Sequence, residues 1–231
     1  MLTSNINKCK TMHIGQKNPR ADYVLYGNAL MKTEVEKDLG ILVSSNLKSS
    51  HHVAAVAAKA NSRLGIIKRS FEFIDKEIFL ALYLTLVRPL LEYAVQCWSP
   101  YLQQDIDLLE RVQRRATKLV PTIAHLPYEM RCRELGIQTL RDRRVRGDMI
   151  EVYKLLNGME NIDYRNFFNL SHRQSRGHSR KLETPTGWRT TLRGNYFSIR
   201  VVRPWNALPQ EVVEAPSISS FKSRYDTYIG N

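Results

Sequence analysis

Between residues 36 and 70, EKDLGILVSSNLKSSHHVAAVAAKANSRLGIIKRS, the chain changes its hydrophobic period, and that change constrains the fold on both sides of it. Residues 39–43, around the turn-forming Gly40, are rich in branched side chains and read as a short strand. From His52 onward Val53, Val56, Ala57, Ala60, Leu64 and Ile67 recur at steps of three and four, the spacing that aligns them on one face of a helix. Lys59, Arg63 and Lys68 are assigned to the opposite face. Ser49 or Ser50 supplies the oxygen that caps the free amides at the helix start. A strand thus hands over to a long helix, with one stripe suited to a core and one to a polyanion.

Upstream, residues 8–14 and 23–26 read as strands, the second ending at the turn pair Gly27 and Asn28, and EVEKD at 34–38 reads as a turn. Three short strands at this spacing resemble the edge of an antiparallel sheet, which needs a helix or further strands against it. Downstream, Asp75 caps a second helix that continues as one element through IFLALYLTLVRPLLEYAVQCW. It is apolar on most sides and belongs in the centre of a bundle, with Pro89 predicting a kink near residues 84–88. Arg88 and Glu92 are four apart and can pair. Asp105 opens a third helix with Ile106, Leu109, Val112, Ala116 and Leu119 inward and Arg111, Arg114, Arg115 and Lys118 outward, stopped by Pro121. These three helices form an antiparallel bundle with short connections. Helices over 128–135, closed by Gly136, and over 140–156, closed by Asn157 and Gly158, extend it. The second begins with Arg141, Arg143, Arg144 and Arg146 against Asp142 alone.

From 171 to 194 the chain is a loop on composition, with Arg173, Arg176, Arg180, Lys181, Arg189 and Arg193 against the single acid Glu183, and a small hairpin around 184–187. Residues after 195 regain aromatic and branched side chains, and Ser217 or Ser219 caps a last helix. The fold class is therefore mainly α: a small β segment at 1–48, a three-helix bundle at 49–120, a helical extension at 121–160, a basic loop or linker at 161–194 and a helical segment at 195–231.

The net charge of +13 over 231 residues points to a polyanionic partner, nucleic acid or an anionic membrane. Cys9, Cys97 and Cys132 are odd in number and far apart, so no disulfide framework is implied, and none has a neighbour at zinc-ligand spacing. The N-terminus lacks the apolar core of a secretory signal. The uncharged part of the most apolar run, 78–87, is too short to span a bilayer. An intracellular location, nuclear or cytoplasmic, is expected.

EKDLGILVSSNLKSSHHV and KANSRLGIIKRSF, followed in order by LYLTLVRPLLEYAVQCWSPY, LLERVQRRATKLV, ELGIQTLRDRRVRGDMIEVYKLLNG and NYFSIRVVRPWNALPQEVVEAPSISSFKSRYD, resemble the segment after the catalytic palm in reverse transcriptases of non-LTR (LINE-type, jockey-like) retrotransposons. The likeness covers nearly the whole chain. It implies that 1–48 is the end of the palm sheet and that the three helices are the thumb that grips template and primer. In that family a tyrosine-alanine-aspartate-aspartate hairpin and an earlier aspartate bind two magnesium ions. This chain holds no Asp-Asp pair, Ser4 stands where an aromatic residue precedes the Asn, and EVEKD has no partner carboxylate, so no cofactor is expected here.

By the same resemblance Lys8 falls at the polymerase lysine that sits near the incoming nucleotide's phosphates; on the residues alone it is an exposed strand-end lysine. Lys59, Arg63, Lys68, Arg111, Arg114, Arg115 and Lys118 are candidate phosphate contacts without sequence readout, with Arg173, Arg176, Arg180 and Lys181 as a flexible arm for RNA. Trp98 and Trp205 read as core and Trp188 as a stacking candidate; the cysteines read as small buried residues or inert thiols. The expected function is the nucleic-acid-holding part of a truncated reverse transcriptase, catalytically silent alone, with RNA or DNA as partner. A stand-alone host nucleic-acid-binding protein descended from such an element, a helical module for acidic proteins or lipids, and a decayed copy stay open.

Overall fold

A computed structural model describes residues 4–15, 17–171, 177–184, 186 and 191–230. The chain is mainly helical, with a few short strands in small sheets. The N-terminal strands form three separate two-stranded ladders rather than one antiparallel edge. Strand β1 (Lys10–Thr11) pairs in parallel with β4 (Met31–Lys32), β2 (Val24–Leu25) pairs antiparallel with β3 (Asn28–Ala29), and β5 (Val35–Asp38) pairs antiparallel with β6 (Ile41–Ser44). The stretch EVEKD is thus largely strand, because residues 39 and 40 make the turn instead: Leu39 and Gly40 have φ of +44° and +90°, the left-handed pair of a type I′ hairpin. Tyr26 and Gly27 do the same between β2 and β3.

Helix α1 (Ser50–Ser70) buries Val53, Ala57, Ala60, Leu64 and Ile67, the stripe its periodicity demands. Its cap departs from expectation. Ser49 is the N-cap residue but its hydroxyl makes no capping bond, and the Ser50 hydroxyl donates to Asp105 Oδ2 at 2.6 Å. The second helix is broken into pieces: α2 (Lys76–Leu82), a π-helical turn over Tyr83–Val87, α3 (Arg88–Glu92) and α4 (Val95–Trp98). The widened turn falls where Pro89 withdraws an amide donor, so the kink is real and has a cause. The further break at Tyr93 and Ala94, the latter with φ +50°, has no signal in the sequence. It places the Tyr93 hydroxyl to donate to the Leu39 carbonyl at 3.1 Å, which ties the β5–β6 turn to the helices.

Helix α5 (Gln103–Thr117) completes the bundle. Asp105 lies within its first turn, buried against Ser50, rather than at the cap. Its inward Gln113 accepts from the Tyr83 hydroxyl at 2.5 Å and donates to the Tyr128 hydroxyl at 2.8 Å and the Gln138 carbonyl at 2.9 Å, so the amide is satisfied in the core. Helix α6 (Tyr128–Leu135) ends at Gly136 with φ +64°, and α7 (Leu140–Leu156) ends at Asn157 and Gly158.

A second hydrophobic core forms where Met149, Val152, Tyr153, Leu155 and Leu156 of α7 meet the C-terminal helices α9 (Phe197–Arg200), α10 (Val202–Asn206), α11 (Gln210–Val213) and α12 (Ile218–Tyr228), preceded by α8 (Thr191–Gly194). Ser217 caps α12 through the Ser220 amide. Trp205 sits at the centre, fully buried, and Trp98 is buried in the first core. The described part of 161–194 is not an unpacked linker. Phe168, His178 and Leu182 are buried, Leu170 bridges Leu182, and the Trp205 indole donates to the Arg180 carbonyl at 2.9 Å. Few aliphatics suffice because Trp205 and Asn206 supply the partners for this segment's backbone. Cys132 is buried, but Cys9 is half-buried and Cys97 exposed.

Candidate nucleic-acid interface

Helix α5 carries an exposed cationic face. At about 100° of rotation per residue, Arg111, Arg114, Arg115 and Lys118 share an arc of about 100° opposite the inward stripe. All four are exposed, whereas Leu109, Val112 and Ala116 are buried. Arg114 stacks over the Tyr128 ring at 4.3 Å and pairs with Glu129 at 3.6 Å, and Arg111 donates from Nε to the Asp107 carbonyl at 3.3 Å. The Lys118 ammonium has no hydrogen bond or ion pair among the described residues. Lys118 closes the helix, where the carbonyl end of the macrodipole favours a cation.

Two contacts fix α1 beside α5. Ser50 meets Asp105 at one end, and Arg115 Nη1 donates to Asn61 Oδ1 at 2.6 Å further along, so the two helices run parallel. On the α1 wheel Lys68 lies about 20° from Asn61, whereas Lys59 and Arg63 lie about 160° away. The structure therefore brings Lys68 toward the α5 ridge and leaves Lys59 and Arg63 on the far flank. All three are exposed, without a hydrogen bond or ion pair among the described residues. The single stripe expected on α1 is two.

The remaining candidates separate. Lys8 is exposed at the end of a 3-10 turn (Ile6–Lys8) just before β1. Arg180 donates from Nη1 to Asn157 Oδ1 at 2.9 Å and from Nη2 to the Leu156 carbonyl at 3.1 Å, which holds it against the C-terminal end of α7. Lys181 is half-buried, with its backbone carbonyl accepting from the Ser171 amide. Arg173, Arg176 and Trp188 lie outside the described residues, as do Pro185 and Gly187 of the expected hairpin.

Of the arginines at the start of α7, Arg141 is exposed while Arg143, Arg144 and Arg146 turn inward, which the sequence could not say. Arg143 takes Glu92 with both Nε and Nη2, the latter at 2.8 Å, so Arg88 is left at 3.8 Å from the same carboxylate. Arg146 holds Asp226 of α12 at 2.6 and 2.7 Å. Arg144 is buried. The cluster RDRRVR announced charge but not which carboxylates, 51 and 80 residues away, would neutralise it.

Among the described residues no three His, Cys, Asp or Glu side chains converge to hold a metal ion. No described helix is long and apolar enough to cross a membrane. No protein-family model matches the chain, and neither does any curated protein or solved structure.

Proposed function

We propose that this chain is the nucleic-acid-holding portion of a LINE-type reverse transcriptase: a helical, thumb-like grip on template and primer that contacts phosphates without reading sequence and does not polymerise by itself. The α5 ridge carries the proposal. Four cations on one exposed arc, against Asp107 on the same arc and Glu129 beside Arg114, with Lys68 on the adjoining parallel helix, present a net positive face to a polyanion. The net charge of +13 supplies the long-range attraction.

The test is binding of a fluorescent RNA–DNA hybrid across a salt series. Affinity falls steeply with salt for the natural chain, and Arg111→Gln with Lys118→Gln lowers the slope by about two contacts' worth. Absence of binding at low salt, or an unchanged slope in the double variant, overturns the assignment. With primer, magnesium and deoxynucleotides present the primer stays unextended; extension overturns the non-catalytic part.

A further inference from the structure

Arg144 is 6% exposed, yet it makes no hydrogen bond, ion pair or ring stack with any described residue. The fold treats its other buried guanidinium differently: Arg131 donates from Nε to Thr117 Oγ1 at 2.9 Å, from Nη1 to the Leu126 carbonyl at 2.5 Å and from Nη2 to the Arg114 carbonyl at 3.3 Å. A buried charge without partners is costly and calls for an explanation. Arg144 lines a cavity of about 190 Å³ where α5, α7 and α10 meet. The other charged side chains on its wall are Arg141, Asp148 and Arg200. Asp148 and Arg200 cancel each other through two contacts of 2.9 Å. Arg141, exposed and one turn before Arg144 at the start of α7, has no partner either. The wall therefore carries two guanidiniums that make no hydrogen bond or ion pair, beside a helix N-terminus that adds to the positive potential. The rest of it is mostly apolar, which strengthens any charge interaction inside. Burial draws the Arg144 pKa down from its ordinary value and Arg141 adds to this, while Glu110, whose Oε2 is buried without a hydrogen-bond partner, Asp148 and Asp142 support its charge without an ion pair. Glu110 does not line the cavity.

We infer that this cavity binds a dianionic phosphate, either inorganic phosphate or the terminal monoester of a larger molecule, held by Arg144 with Arg141 at its mouth. Two guanidiniums match the charge of a phosphate dianion, and their planar forks match its oxygens. A monoester is dianionic above its second pKa of about 6, so affinity falls below that pH. This inference does not rest on the α5 ridge, and each can fail without the other.

The experiment is thermal unfolding of the full chain at fixed ionic strength, with inorganic phosphate replacing chloride. At about ten times its Kd, phosphate raises Tm by about 3 to 6 °C in the natural protein at pH 7.5 and by less at pH 5.5. Arg144→Gln abolishes the shift and Arg141→Gln reduces it, so a folding failure in one variant leaves the other to decide. Without phosphate, Arg144→Met leaves Tm unchanged or higher, since it removes a buried charge that makes no hydrogen bond or ion pair. A phosphate effect no larger than that of chloride, or one that survives Arg144→Gln, overturns the inference. So does a lower Tm in Arg144→Met matched by Glu110→Gln, which would mean that Arg144 serves an internal pair. Displacement of phosphate, read by phosphorus NMR, by a 5′-phosphorylated trinucleotide but not its unphosphorylated twin identifies a nucleic-acid end as the source. Displacement by neither identifies free phosphate, and both results sustain the site.

Discussion

Arg146 and Asp226 stand 80 residues apart and form a two-point ion pair, with Nε to Oδ1 at 2.6 Å and Nη2 to Oδ2 at 2.7 Å, that fastens the last helix to α7. The pair raises the Arg146 pKa, chiefly through the hydrogen bond to Asp226. Side-chain exposures of 19% and 30% leave it partly screened, so its contribution is modest, about 1 kcal/mol. Arg146→Ala and Asp226→Ala each destabilise by about that much, and the double variant loses less than the sum. Urea titrations measure it; strict additivity would show that the two groups do not couple.

The split of the α1 cations gives a sharper test of the interface than their total. Lys68→Gln weakens hybrid binding and lowers the salt slope alongside the α5 variants, whereas Lys59→Gln with Arg63→Gln changes both little. Equal effects from the two flanks would mean that the bound strand does not follow the α5 ridge.

Two buried histidines make the fold sensitive to mild acid. His52 Nδ1 accepts from the Leu42 amide at 3.1 Å while its ring meets Trp98 edge-on at 4.8 Å, and His178 donates from Nε2 to the Trp205 carbonyl at 3.0 Å with Nδ1 buried and unpartnered. Burial is the leading cause that holds both pKa values below the ordinary 6.5. The unfolded chain therefore takes up protons first, so stability is full above about pH 6.5 and falls as the pH drops below it. Denaturation midpoints between pH 7.5 and 5.5 decrease in the natural chain, and the decrease is smaller in His178→Gln. A midpoint constant over that range would refute it.

Local backbone chemistry offers two stabilising changes. Leu39, 84% exposed, holds φ +44° in a turn type that prefers asparagine before glycine, so Leu39→Asn adds about 0.5 kcal/mol. Gly65 lies inside α1, and a methyl group there would meet only the Arg69 guanidinium at an ordinary 3.5 Å, so Gly65→Ala adds about 0.5 to 1 kcal/mol. Lower melting temperatures for these variants would contradict both arguments.

What the sequence yields and what it withholds follow from the range of the forces involved. The stripe from Val53 to Ile67, the whole span of α7 and the Gly136 cap are read from local period and cap chemistry, and the structure has them where those rules put them. The exposed arc on α5 follows from the same periodicity. Long-range competition escapes such rules. Ser50 leaves its expected cap because Asp105 is 2.6 Å away, and Glu92 takes Arg143 in preference to its near neighbour Arg88. Arg180 looks like a free cation until the end of α7 comes beside it, and Arg144 reveals its burial only once α5 and α10 have closed over it.

Helix α7 belongs to both cores: Leu140 packs into the first, and Met149 through Leu156 into the second. One rod shared in this way couples the two cores mechanically: a tilt of the rod that disturbs the packing at Leu140 also moves Met149 and Val152.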